Sequence, residues 1–298
     1  MKTSGCILTA VLLLLLVPAS SRAQDEQWQV GSTPSFTSGT YGTSSRTDVF
    51  YTPFTARRLF TDGDLTLVFP IMCLRGTGAV TIVDGTPMPI DTSRTGATSS
   101  GTTTRTGTTT SDPATRTGAA GATTTAAAPD TATPPGTTCG AGDIGVRGRY
   151  YVLDERSWWP TIAVRAHLKV PTAAPGKGLG TGRPDEGVGV EISRMVGGGF
   201  MTMLDAGYTI IGKPTGVEYR NGWWYDVGVG QDLADGAVNV SVFFEEYSTI
   251  VPGLENARDI LAAVTVKGAL WRLQVSGGFG LSDGAPDHGF MLGASRRF

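Results

Sequence analysis

Between Trp158 and Val170 the chain alternates without a break. Trp158, Pro160, Ile162, Val164, Ala166, Leu168 and Val170 share one face, and Trp159, Thr161, Ala163, Arg165, His167 and Lys169 the other. A period of two puts successive side chains on opposite sides of an extended chain, so this segment reads as a strand with one apolar and one basic face. The split recurs in 186–196, where Val188, Val190, Ile192 and Val196 oppose Gly187, Gly189, Glu191 and Ser193. It recurs in 222–232 and 236–248, which carry Asp226 and Glu245 on their polar faces. About twelve such segments run from Val30 to the C-terminus: 30–43, 46–58, 64–74, 142–152, 158–170, 186–196, 199–212, 222–232, 236–248, 258–267, 270–282 and 288–298. A content of 42 glycines and 8% aromatics agrees with strands joined by turns.

Alternation alone suits a soluble sandwich equally well, because the apolar faces of two sheets can pack together. The connections discriminate. Tight links at 59–63, 153–157, 197–198, 233–235 and 268–269 interleave with longer ones at 75–141, 171–185, 213–221, 249–257 and 283–287; only the link at Thr43 to Ser45 is short where a long one is needed. Short turns at one end, longer loops at the other and an even strand count are the pattern of bacterial outer-membrane barrels. The expected fold is therefore all-β: a closed antiparallel transmembrane β-barrel of about twelve strands, with short periplasmic turns and a long extracellular loop. On that topology Tyr150, Trp158, Phe200, Trp271 and Phe298 fall at the periplasmic ends of apolar faces, and Trp223 and Phe290 at the outer ends, as an interfacial aromatic girdle requires. The terminal Phe298 resembles the signal read by the outer-membrane assembly machinery. Arg296, on the same face, departs from that pattern and must reach for headgroups with its long side chain.

The N-terminus agrees with export. Lys2, an apolar run from Ile7 to Val17 and the small-residue stretch Ala19 to Ala23 form a signal peptide, with cleavage expected after Ala23. Losing Lys2 and Arg22 from the 24 basic side chains leaves 22 against 26 acidic ones, a formal charge of −4, which argues against a nucleic-acid partner. Beyond the leader nothing is apolar over the 18 or so residues of a helical membrane span. The mature domain is expected over 24–298, interrupted at 92–138 by a Thr/Ala/Gly-rich segment too poor in apolar residues to form a core, and so expected to be disordered and extracellular. Cys73 and Cys139 flank this insert. They are either bridged, as an oxidising compartment allows, or two free thiols.

The lining of such a barrel decides its function. Inward parity gives Arg147, Arg149, Arg165, His167 and Lys169 on one wall, Glu191, Asp205, Asp226 and Glu245 on the neighbouring and facing wall, and Arg272 beyond. Segregated charge supports either a transverse field across a water-filled constriction or a plug of paired charges. Lys177, Arg183, Asp283, Asp287 and His288 fall in the outer loops, as loop-shaping residues or as solute contacts at the mouth. A membrane hydrolase would need an outward Ser–His pair, yet the chain has only His167 and His288, the first expected inward and the second in a loop. No ligand spacing suggests a metal, and no motif a cofactor. The expected function is a channel for small solutes in the bacterial outer membrane, its partners being the lipid bilayer, the assembly machinery and an unspecified solute. A closed structural or adhesive barrel displaying the Thr-rich loop is the alternative.

Two stretches, Lys169-Val170-Pro171-Thr172-Ala173-Ala174-Pro175-Gly176-Lys177-Gly178-Leu179-Gly180-Thr181-Gly182 and Gly280-Leu281-Ser282-Asp283-Gly284-Ala285-Pro286-Asp287-His288-Gly289, resemble the outer-membrane transporter family of the MetA pathway of phenol degradation. With the intervening strands the resemblance covers roughly 46–91 and 139–298. It implies a small envelope barrel and brings no catalytic residues. The Thr-rich insert departs from the family pattern.

Overall fold

The computed structural model describes residues 27–76, 80–83, 86–89, 136–174, 177–215 and 217–298. The expected leader at 1–23 and residues 92–135 of the expected insert lie outside them. The strands are β1 (Gln27–Ser32), β2 (Ser35–Gly39), β3 (Thr47–Phe60), β4 (Gly63–Gly76), β5 (Val80–Val83), β6 (Thr86–Pro89), β7 (Gly136–Ala141) and β8 (Ile144–Leu153). There follow β9 (Thr161–Val170), β10 (Asp185–Gly197), β11 (Phe200–Ile210), β12 (Gly222–Leu233), β13 (Val238–Tyr247), β14 (Ala257–Lys267), β15 (Trp271–Gly280) and β16 (His288–Arg297).

Every pairing is antiparallel, and β16 pairs back onto β1 and β2, so the sheet closes on itself. β1 and β2 make a single stave, since both lie between β16 and β3. β7 and β8 make another against β4, so the barrel has twelve staves. The two interruptions have local causes. Pro34 has no N–H to give the ladder, although its carbonyl still accepts from Leu292 N at 2.9 Å. At the second break Gly142 N bonds Pro70 O at 2.9 Å, and the Asp143 carboxylate leaves the ladder pattern to accept from Ala173 N at 2.9 Å. Among the described residues closure leaves the barrel wall without an unpaired edge strand, which is the condition for strands to cross a bilayer.

Differences from the sequence expectations sit at the ends of strands. The first stave starts at Gln27 and stops at Gly39, because Tyr41 and Gly42, with φ of 52° and 75°, turn the chain. The link to β3 is thus 40–46, as long as its end of the barrel requires. The strand expected from Trp158 starts only at Thr161: Arg156 and Trp159 exchange backbone hydrogen bonds of 3.2 and 2.7 Å that close a turn around Ser157 and hold Trp158 out of the wall. Gly136 to Thr138, expected in the low-complexity insert, instead pair with Gly76 to Leu74 and belong to β7. His288, expected both at the start of the last strand and among the outer-loop residues, opens β16, where it faces both Ser38 and Phe279. The β5–β6 hairpin, part of no expected strand, forms a separate two-stranded sheet.

Candidate functional site: a charged lumen under an apolar rim

Alternation sorts each stave into an outer apolar face and an inner face that is mostly polar. On β12, Trp223, Val227 and Val229 are exposed, while Gly228 and Gly230 between them are buried. The same holds for Val240 and Val242 against Asn239 and Ser241 on β13, and for Val264 and Val266 against Ala263 and Thr265 on β14. In water, a continuous apolar belt of this kind would forfeit about 25 cal/mol for each Å² left exposed, whereas lipid accepts it.

Inside, the basic side chains gather on one wall. Arg57, Arg147, Arg149, Arg165 and Arg272 line a cavity of about 270 Å³ together with Asp64, Gln29, Gln274 and Ser295. Cross-strand register stacks the acids opposite. Glu191 faces Asp205, Asp205 faces Asp226, Asp226 faces Glu245, and Glu245 faces Asp259, so one row of carboxylates crosses β10 to β14. Like charges directly opposite each other repel, and the row needs cations within reach. Arg149 bonds Glu191 at 3.4 Å and lies 3.8 Å from Asp64, which also pairs with Arg57; Arg165 pairs with Asp205. The pairs join the two walls at β8 to β11 and leave Glu245 and Asp259 lining a second, larger cavity.

That second cavity, about 350 Å³, is of mixed character: Val49, Tyr51, Pro53 and Val68 on the β3–β4 side, Glu245, Tyr247 and Asp259 on the other, and Pro87 of β6 above. It shares Thr33, Thr55 and Arg147 with the arginine-lined cavity, so the two meet at Arg147. Small residues make room for the large inner side chains. A Cβ on Gly187 would stand 2.1 Å from His167 Cε1, and one on Gly207 2.4 Å from the Trp224 ring, so His167 and Trp224 lie flat over glycines of the adjoining strands. Trp224 in turn carries the Arg165 guanidinium 5.4 Å from its ring centre. His167 Nε2 lies 3.3 Å from the Thr209 hydroxyl. Toward the long-loop end Lys169 is held by Asp185 at 2.7 Å, Asp143 at 3.3 Å and the Thr181 hydroxyl at 2.7 Å.

The structure thus brings Arg147, Arg149, Arg165, Glu191, Asp205, Asp226, Glu245 and Arg272 to the lumen wall, with His167 and Lys169 buried nearer the loops. It adds Arg57, Asp64, Trp224 and Asp259, which sequence reasoning passed over although each has inward parity on an expected strand. Among the loop residues, Lys177, Arg183 and Asp283 lie in the links after β9 and β15, and Asp287 pairs with Arg46 of the β2–β3 link. In the same link the buried Tyr41 hydroxyl bonds Thr37 at 2.8 Å, and burial raises its pKa above the ordinary tyrosine range. Cys73 and Cys139 face each other across β4 and β7 and are bonded. Tyr150, Phe200, Trp223, Trp271 and Phe298 are exposed on the outer face; Trp158 is exposed too, but stacks on Trp159 at 4.4 Å within its turn. Arg296 lies over the Trp271 and Phe298 rings at 5.2 and 5.1 Å, and Arg58 over Trp28 and Phe60 at 5.6 and 5.5 Å, so both outward arginines sit on aromatic rings. Among the described residues no group of His, Cys, Asp and Glu is arranged to hold a metal ion.

No family model and no curated protein matches the chain. Among solved structures it is similar to an outer membrane channel from Pseudomonas putida F1, with 11% identity and a TM-score of 0.59 over 94% of this chain and 99% of that one. The fold is that of an outer-membrane barrel. Looser likenesses, both with a TM-score of 0.41 over 96% of this chain, are to the CymD monoaromatic hydrocarbon channel, at 9% identity and 92% of that chain, and to the Ralstonia pickettii toluene transporter TbuX, at 10% and 93%. Those two are too distant to bear on the argument.

Proposed function

We propose that the protein is a channel of the bacterial outer membrane through which small solutes, aromatic or otherwise hydrophobic compounds among them, diffuse past a charge-segregated lumen. The observation that carries this reading is the meeting of the two cavities at Arg147 inside a closed wall, one rich in arginine and the other bordered by Glu245 and Asp259. A sealed core would fill that volume with interlocking side chains. Opposed charges across a narrow water-filled section create a transverse field that orients dipolar solutes, while Tyr51, Tyr247 and Trp224 offer ring faces to apolar ones. The resemblance of the 169–182 and 280–289 stretches to the phenol-degradation transporter family points the same way. In this reading the short turns face the periplasm, the exposed aromatics form the interfacial girdles, and Phe298 is presented to the assembly machinery.

Planar-bilayer recording of the refolded mature protein tests it. Stable conductance steps are expected. Arg147→Ala should shift selectivity toward cations and Glu245→Ala toward anions, because each deletes one sign of charge where the cavities meet or at the wall of the larger one. A silent bilayer from protein with the heat-modifiable mobility of a folded barrel would sink the channel and favour a closed barrel that acts through its outer loops.

A further inference from the structure

The inner face of the barrel is not polar throughout. At the long-loop end of β3 and β4, Val49, Met72 and Leu74 face inward and are almost completely buried, an anomaly for the mouth of an aqueous channel. The β5–β6 hairpin covers them together with Tyr41 and Leu179 of the links after β2 and β9. Val80, fully buried, packs with Val49, Met72, Leu74, Tyr41 and Leu179. From the other strand of the same hairpin Met88 packs with Ile211, Tyr219, Ile250 and Val251, which belong to the links after β11 and β13. These two clusters lie on different sides of the barrel mouth, so the hairpin bridges it. Below it, Pro87 borders the larger cavity, while Met88 borders a smaller one of about 60 Å³ lined by Arg165, Trp224 and Asp226. Its stalk is short, since β4 ends at Gly76 and β5 begins at Val80, and the wall it springs from is tied by the Cys73–Cys139 bond.

Resting on the channel reading above, we infer that the β5–β6 hairpin is the outer constriction of the lumen: a stopper docked through Val80 and Met88, whose Pro87 and Met88 decide which solutes reach the charged section. Two opposed apolar docking sites distinguish it from a surface hairpin. Burying Val80 and Met88 takes both side chains out of water and so favours the docked arrangement. Such a stopper screens by fit and polarity. An apolar or aromatic solute can exchange contacts with Met88, a flexible side chain suited to irregular shapes, while a bulky hydrated one meets a narrow apolar passage.

The test pairs accessibility with conductance, in oxidised protein whose Cys73–Cys139 bond is intact. A thiol introduced by Met88→Cys should react slowly with a membrane-impermeant maleimide, and at least tenfold faster once Val80→Asp undocks the hairpin. Conductance should rise several-fold in Val80→Asp and in a variant with residues 80–89 replaced by a Gly/Ser link, which covers the case that Val80→Asp does not fold. Rapid labelling of Met88→Cys alone overturns the docking. Equal conductance with and without the hairpin overturns the constriction yet leaves the channel standing. Silence from every folded variant brings down the channel reading, and this inference with it.

Discussion

At the scale of single residues, the lumen is built by pairing large side chains with glycines. Trp224 lies where a Cβ on Gly207 would meet its ring at 2.4 Å and Val188 O at 2.6 Å; the second contact is backbone and cannot rotate away. Gly207→Ala should therefore displace Trp224 and strain the ladder, at about 1–3 kcal/mol for an overpacked site. Gly145→Ala, whose new methyl would make an ordinary contact 3.4 Å from Val68, is the matched control. Urea unfolding followed by Trp fluorescence and gel mobility should show a lowered midpoint for the first and little change for the second; equal midpoints would refute the packing argument. Loss of the Trp224–Arg165 stack should also alter the selectivity of Gly207→Ala. The residues that sequence reasoning passed over are informative here. Arg57, Asp64 and Asp259 sit on the inward parity of strands whose course was already legible, but close to the strand ends, where parity does not separate a lumen side chain from one of a turn or loop. Trp224 follows from its neighbour Trp223: with Trp223 on the outer face, parity already turned Trp224 inward, but an aromatic among the charged lining carried no signal of its own.

At the scale of strands, depth decides what the outer face tolerates. Val227 lies near the middle of β12 and Leu233 at its end, both exposed on the apolar face. The same change should cost differently at the two: Val227→Arg about 2–4 kcal/mol, Leu233→Arg between about 0 and 1, where the charge reaches headgroups. Folding titrations into lipid vesicles would measure both, and equal penalties would contradict the assigned depth. Arg58 and Arg296 already illustrate the tolerated case, each over an aromatic ring at the short-turn end. Strand positions were readable from the chain because an apolar outer face against a mostly polar inner one enforces a period of two over most of each stave. Ends were less so. The Arg156–Trp159 turn rests on local backbone bonds that the apolar rhythm of Trp158 and Pro160 conceals. The β5–β6 hairpin was invisible for a different reason: its strands run Val80–Val83 and Thr86–Pro89, too short for a periodic pattern, and β6 carries two prolines.

For the whole molecule, the question is whether the wall needs the long segment that interrupts it. Beside that segment β4 pairs with β8 from Gly63↔Tyr150 to Val68↔Gly145, and with β7 from Ile71↔Ala141 to Gly76↔Gly136, so apart from the short break at Gly142 and Asp143 the pairing runs right up to the loop. The Cys73–Cys139 bond lies inside this ladder and fixes the two ends of the loop independently of what lies between. Loop-closure entropy varies slowly with length, by about 0.6 kcal/mol for each doubling, so shortening the loop to less than a third of its length changes stability by only about 1 kcal/mol. Removing residues 92–133 while keeping the hairpin and both cysteines should accordingly leave a barrel that still runs differently boiled and unboiled, with native conductance. Conductance is the discriminating readout, because the stopper springs from the β4 side of the loop and docks on links of other staves. A shortened protein that folds but conducts more would mean that the removed segment helps seat the hairpin. One that no longer shows the mobility shift would mean that the wall itself depends on it, against the pairing observed.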